Sequence, residues 1–178
     1  IWIRSPKIFS KPLMLVCRII GLTTYQTIDG IRYGKHEFHK SILVSSIFPF
    51  LQLIDFKIKW LLEKRKINPS ETLLFDRFSI DTLADIMVDT KNYNLHKTWV
   101  GRSFLKYIPK DSKVLVMYVE ESNIRQRKKD TLYDDHLASK IKVYQLLSND
   151  LNLRVVDNNR SSELVQKEIF NIVFYEGN

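Results

Sequence analysis

The sequence predicts an α/β fold, a three-layer α/β/α domain built on a parallel sheet. Three observations predict it. Short apolar runs at residues 72–75, 113–119 and 153–156 alternate with longer segments of helical period. Such alternation places helices on both faces of a parallel sheet. Each run also stops at charged residues, Asp76-Arg77, Glu120-Glu121 and Asp157, as buried strands do where a ligand waits beyond their carboxyl ends. Finally, five Gly and five Pro in 178 residues leave no low-complexity stretch or linker, so one domain is expected over residues 1–178.

The elements follow in order. Trp2-Ile3-Arg4 reads as the end of a short strand, closed by Ser5-Pro6. Ser10-Lys11-Pro12 opens a helix, with Ser10 or Lys11 at its cap and the proline in its first turn. Leu13, Val16, Cys17 and Ile20 recur at helical spacing, and Gly21 stands where a helix-ending glycine belongs. Residues 22–35 carry three Thr and two Gly without a clear period and read as loop. A long helix is expected over residues 36–64, kinked or divided by Pro49.

Asn68-Pro69-Ser70 is a turn signal, and the strand 72–76 follows it. Ser79 or Asp81 caps the next helix, whose Leu83, Ile86 and Met87 share a face. A further helix covers residues 95–107. Residues 113–119, β-branched and apolar, form the clearest strand. A basic helix over residues 122–129, a helix over 133–147, a strand over 153–156 and a helix from about Ser161 complete the chain. No internal repeat is visible, and crossovers between parallel strands are expected to be right-handed.

Composition excludes several classes. Hydrophobic residues make up 44% and charged residues 27%, the balance of a globular protein. Cys17 has no disulfide partner and sits in an apolar periodic segment, which suits a buried thiol and a reducing compartment, the cytoplasm. His36, His39, His96 and His136 lack metal-site spacing, although a helix over 36–64 would put the first two on one face. Ser45-Ser46 lacks the flanking glycines of a nucleophile elbow. The apolar stretch Ile42 to Ile54 is shorter than the roughly 20 residues of a membrane span. No secretory signal pattern opens the chain. Because it begins with Ile in a strand-like run, further residues are expected before Ile1.

The net charge of +8 favours anionic partners, and two clusters carry the chemistry. Asp76-Arg77 at the end of an apolar strand has the form of a Walker B element: a carboxylate near phosphate-bound Mg²⁺, beside a guanidinium that can fork onto a phosphoryl group. The same pair also reads as a solvated strand end. The run from Arg125 to Asp130 is the densest basic cluster and follows Glu120-Glu121. It reads as a mobile lid over phosphates or as a solvated helix face. Nucleic acid fits it poorly, since neither interleaved aromatics nor a recognition helix is present.

Taken together these residues resemble the thymidylate kinases, a family of P-loop nucleoside-monophosphate kinases. Arg4-Ser5-Pro6 is similar to the family's Arg-Glu-Pro strand end. Leu51-Gln52-Leu53, and then Leu73 to Arg77 followed by Phe78-Ser79 and Thr82, match its long helix and its Asp-Arg strand with a hydroxyl-rich helix start. Residues 113–130 are similar to the strand that leads into an Arg-bearing lid, here about 122–132. Residues 138–147 with Tyr144, and Val155-Val156-Asp157, follow in the family's order.

The resemblance implies a three-layer parallel sheet of the P-loop kinase type and ATP-dependent phosphorylation of a nucleoside monophosphate, dTMP to dTDP. Arg4 and Arg77 would hold the acceptor phosphate. Asp76 would act through Mg²⁺ and its waters. Arg125, Arg127 and Lys129 would close over the ATP phosphates. A homodimer through the helix 41–54 is implied as well, although a core helix would read the same.

Two departures stand out. The family's Gly-rich loop, with its strand and first helix, is absent from these 178 residues. Phe50 occupies the position of a base-reading Arg, and can stack on a base without forked hydrogen bonds. A kinase for another nucleoside or nucleotide, or a non-catalytic nucleotide-binding protein, are the alternatives.

Overall fold

The computed structural model describes residues 3, 5–68 and 72–175, with the backbone alone for Ile31 and Asp130. The chain is mixed α/β, with seven α-helices and two two-stranded sheets among the described residues. It divides into two compact units, residues 1–27 with 34–109 and residues 28–33 with 110–178.

In the first unit, α1 spans Ser10–Ile19. It stops in a Schellman turn: Leu22 N–H reaches Cys17 C=O at 2.8 Å, Gly21 N–H reaches Arg18 C=O at 3.3 Å, and Gly21 takes φ +78°. Residues 22–35, read from the sequence as loop, instead hold β1 (Thr23–Ile28) and β2 (Ile31–His36), a hairpin whose residues 28–33 group with the second unit. Asp29 and Gly30 join them, both at positive φ (51° and 76°), the pattern of a type I′ hairpin turn. His36 therefore ends a strand, and His39 lies in the 3₁₀ turn Phe38–Lys40, so the two do not share a helix face.

α2 begins at Ile42 because Ser41 caps it, its Oγ accepting Val44 N–H at 3.4 Å. It runs unbroken to Lys64 with Pro49 inside it, so the proline does not divide it. α3 (Ser79–Thr90) and α4 (Trp99–Leu105) pack on it. α4 comes close enough to the preceding 3₁₀ turn that a Cβ on Gly101 would sit 2.1 Å from Leu95 O. The core joins Cys17, Phe38, Phe48, Leu53, Phe56, Leu83, Met87 and Phe104, all buried. Burial raises the Cys17 thiol pKa, which makes it an inert core residue.

In the second unit, β3 (Leu115–Tyr118) pairs in parallel with β4 (Arg154–Asp157), Met117 opposite Val156 and Tyr118 opposite Asp157. Between them run α5 (Glu121–Arg127) and α6 (Leu137–Asp150). α6 hands over to β4 through Asn152 at φ 51°, with Leu153 N–H on Ser148 C=O at 2.8 Å. α7 (Ser162–Phe174) closes the unit through Val165 and Ile172, which pack on Val156 and Leu115. Lys113 Nζ caps its end, donating to the carbonyls of Ile172 and Val173 at 2.8 and 2.9 Å.

Residues 72–75 carry no strand ladder among the described residues. Among the described residues, one backbone bond, Ile3 N–H to Arg77 C=O at 3.1 Å, ties the first segment of the chain to this one. Two of the three residues of the expected strand 2–4 lie outside the described set, as does the turn at 69–70.

Candidate functional site

Asp76 and Arg77 hang between two aromatic anchors. Phe75 packs on Trp60 and Phe78, with ring centroids 5.9 and 4.7 Å away. Phe78 in turn meets Trp60 at 5.1 Å and the buried Phe56 at 5.3 Å. The dipeptide is thereby pushed outward, with Asp76 exposed and Arg77 partly so. Arg77 takes φ +77°, a left-handed conformation that costs a non-glycine residue roughly 1–2 kcal/mol. Such strain persists only where the surroundings over-determine it, and it clusters at functional sites.

The surroundings here are specific. Asp81, in the first turn of α3, accepts Phe78 N–H at 2.9 Å with one oxygen, as the return half of a capping box does. Its other oxygen meets Arg77 Nη1 at 3.4 Å. The guanidinium thus stands at the N-terminus of α3, where helix dipole and unpaired N–H groups favour anions. Ser79, the first residue of α3, is buried, and its Oγ makes no hydrogen bond among the described residues.

A second non-glycine residue at positive φ, Ser5 at 40°, docks on the same helix. Its N–H donates to Thr82 Oγ1 at 3.0 Å, and its Oγ donates to Asp85 Oδ2 at 3.1 Å. Arg4, expected to share the acceptor phosphate with Arg77, lies outside the described residues.

The chain just beyond Ser5 is fixed by a residue the sequence reading passed over. Asp55, fully buried on α2, accepts Ile8 N–H at 3.0 Å, Phe9 N–H at 2.6 Å, and both Ser10 N–H and Ser10 Oγ at 3.0 and 2.6 Å. One carboxylate thereby caps α1 from another helix. Gln52, one turn earlier, donates to Pro6 C=O at 3.1 Å and to Ser10 Oγ at 2.8 Å. The available signal was a lone acid on the apolar side of a long helix, since a buried charge must be satisfied. Phe50 lies on the same helix. Its ring is half-exposed and stacks on Trp99, with centroids 6.3 Å apart and planes 29° from parallel.

No family model, curated protein or solved structure matches this chain. The site is therefore read from its own chemistry.

The basic cluster belongs to the second unit. Arg125 is used internally: Nε and Nη2 donate to Glu121 Oε1 at 3.0 and 2.7 Å, and Nη1 to the carbonyls of Thr131 and Leu132 at 2.8 and 2.6 Å. It thus shapes the segment that follows α5. Arg127 Nη1 donates to Asn158 C=O at 2.7 Å, beyond the carboxyl end of β4. Asn159 Oδ1 accepts Glu120 N–H at 3.0 Å and Asn123 Nδ2 at 2.9 Å, which ties the start of α5 to the same loop. Lys129 is exposed. An open cleft of about 230 Å³ lies alongside, lined by Tyr118, Glu120, Glu121, Ile141 and Lys142 among others.

No group of three or more His, Cys, Asp or Glu side chains among the described residues could hold a metal ion unaided. Among them, no helix is long and apolar enough to cross a membrane.

Proposed function

We propose that this chain forms the larger part of a P-loop nucleoside-monophosphate kinase, with a three-layer parallel sheet, that passes the γ-phosphoryl group of ATP to a monophosphate such as dTMP. The observation that carries the reading is Arg77, held left-handed between two aromatic anchors at the N-terminus of α3. In this reading its guanidinium forks onto the acceptor phosphate. Arg4 joins it in this reading, and Phe50 with Trp99 offers an aromatic surface to a base.

Asp76 suits Mg²⁺, which binds through one or two carboxylates together with substrate phosphates and keeps several waters, so a lone exposed carboxylate meets its needs. Bound there with ATP, the ion supplies neutralisation of the phosphate charge. The acceptor's phosphate oxygen attacks the γ-phosphorus in line. The bond to the bridging oxygen breaks, and its electron pair leaves with ADP. Little covalent work falls to the protein, so orientation by Arg77 and charge stabilisation by Arg127 and Lys129 dominate. Arg125 contributes by shaping the lid.

The reading requires a Gly-x-x-x-x-Gly-Lys-Ser/Thr loop to cradle the β-phosphate, and residues 1–178 contain none. The test therefore uses the protein expressed from its whole reading frame. ADP release is followed with ATP, Mg²⁺ and each monophosphate in turn. Turnover stimulated by a monophosphate is expected, dTMP foremost. Arg77→Lys keeps the charge and loses the fork, and should lower kcat about 100-fold with an unchanged circular dichroism spectrum. No monophosphate-dependent turnover, or a fully active Arg77→Lys variant, would overturn the reading.

A further inference from the structure

The tip of the β1–β2 hairpin, residues 28–33, packs within the second unit. Three contacts fasten it to the segment just after α5. The rings of Tyr33 and Tyr133 meet edge to face, centroids 5.8 Å apart at 84°. The Tyr33 hydroxyl donates to Lys129 C=O at 3.2 Å. The Tyr133 hydroxyl donates to Asp29 Oδ2 at 3.5 Å. These hydrogen bonds join residues 96 and 104 positions apart in sequence. The type I′ turn at Asp29-Gly30 sets Asp29 and Tyr33 on the same tip, so each tyrosine answers one residue of the other segment.

The fastened segment is short and partly exposed. It is a single 3₁₀ turn, Lys129–Thr131, followed by Leu132 and Tyr133, which are 45% and 47% exposed. Inside the segment, Arg125 clasps the carbonyls of Thr131 and Leu132, and Thr131 Oγ1 donates to Lys128 C=O at 2.7 Å. A short turn with so few buried contacts belongs to the low-stability end of a fold, where each further clasp shifts the balance between docked and open forms.

We propose that the hairpin tip is a releasable strap, with Tyr33 and Tyr133 as its clasp, that sets how often the basic segment from Arg125 to Lys129 opens. Tyr133 is exposed and Tyr33 half-buried, and each hydroxyl bonds to the other side, a clasp weak enough to open and close reversibly. The proposal concerns the segment's own equilibrium and stands whether or not the chain is a kinase.

Trypsin reads that equilibrium directly, because Arg125, Arg127, Lys128 and Lys129 are its targets and the cleavage rate follows the population of the open form. Fragments are timed by mass spectrometry for the wild type, Tyr33→Phe, Tyr133→Ala and the double variant. Tyr33→Phe deletes the hydroxyl that bonds Lys129 C=O and should speed cleavage at these four residues about threefold. Tyr133→Ala removes the ring contact and the Asp29 bond and should speed it about tenfold. The double variant should fall short of the product of the two, since the residues share one clasp. Cleavage at Lys140 and Lys142 in α6 should stay unchanged. If Tyr133→Ala speeds every site equally, global unfolding is the cause and Tyr33→Phe alone decides. Rates at the four sites within error of wild type in Tyr33→Phe would overturn the strap.

Discussion

A left-handed arginine is a costly choice where glycine would serve, and Arg77 keeps that conformation through its neighbours: aromatic anchors on both sides, Ile3 N–H on its carbonyl, and Asp81 on its guanidinium. Arg77→Gly should therefore stabilise the protein by about 1 kcal/mol, raising Tm by roughly 2–4 °C, while removing monophosphate binding. Thermal denaturation and calorimetric titration check the two halves separately. A loss of stability would mean the backbone is not strained, and retained binding would mean the side chain is not the ligand. Asp55 is the opposite case, a residue whose whole value is structural. Its carboxylate satisfies three N–H groups and a hydroxyl in a fully buried place. Asp55→Ala leaves these donors without an acceptor and should cost about 3–5 kcal/mol in urea denaturation. A cost below ~1 kcal/mol would show that water replaces the carboxylate easily.

At the scale of elements, what could be read from the sequence depended on how much apolar surface each element buries. The helices announce themselves because each carries a buried stripe, such as Leu83, Ala84, Ile86 and Met87 on α3. The hairpin does not, because both its faces meet solvent: in β1 only Thr23 is buried, so no period-two pattern survives. Asp29-Gly30, a turn signal of another kind, was the legible trace. Residues 72–75 show the converse. Their apolar pattern predicts a strand, yet among the described residues they join no ladder, which needs a neighbour that local sequence does not name. Asp134, just before α6, gives this scale its prediction. Burial works to raise its pKa, but the bond from Lys140 at 2.7 Å, the Lys140 charge and His136 N–H together outweigh burial, and the pKa is lowered. A lowered carboxylate stabilises the fold above its unfolded value, near 3.9, and that share is lost as pH falls through the folded value. Lys140→Gln removes the partner, so its stability should fall less steeply than the wild type's as pH drops below about 4. Superimposable pH profiles from chemical denaturation would exclude the pair as a source of acid sensitivity.

For the whole molecule, alternation of element types made the mixed α/β class legible, and the parallel β3–β4 pair joined through α5 and α6 is what that alternation predicts. The gathering of residues 28–33 with 110–178 was not legible, because it depends on two tyrosines a hundred positions apart and on no local pattern. Within the candidate site the same contrast holds. Asp76-Arg77 is visible as an expected strand end, whereas the docking of Ser5 on Thr82 and Asp85 is a matter of tertiary hydrogen bonds. Charge is the one property that sequence fixes for the molecule entire. A net +8 on 178 residues acts over the Debye length, about 10 Å at 0.1 M salt and about 3 Å at 1 M. Contacts such as a forked guanidinium–phosphate pair work at hydrogen-bond range and survive screening far better than attraction summed over 28 basic residues. Nucleotide affinity should then contain two parts with different salt responses. From 0.1 to 1 M salt, ATP binding should weaken about tenfold as the long-range part is screened, and binding of the uncharged nucleoside should change less than about twofold. Arg77→Ala should weaken monophosphate binding at both salt concentrations by a similar factor, because it removes the short-range part alone. If the Arg77→Ala defect instead vanished at high salt, the residue would be one more member of the general positive field and no longer a built phosphate contact.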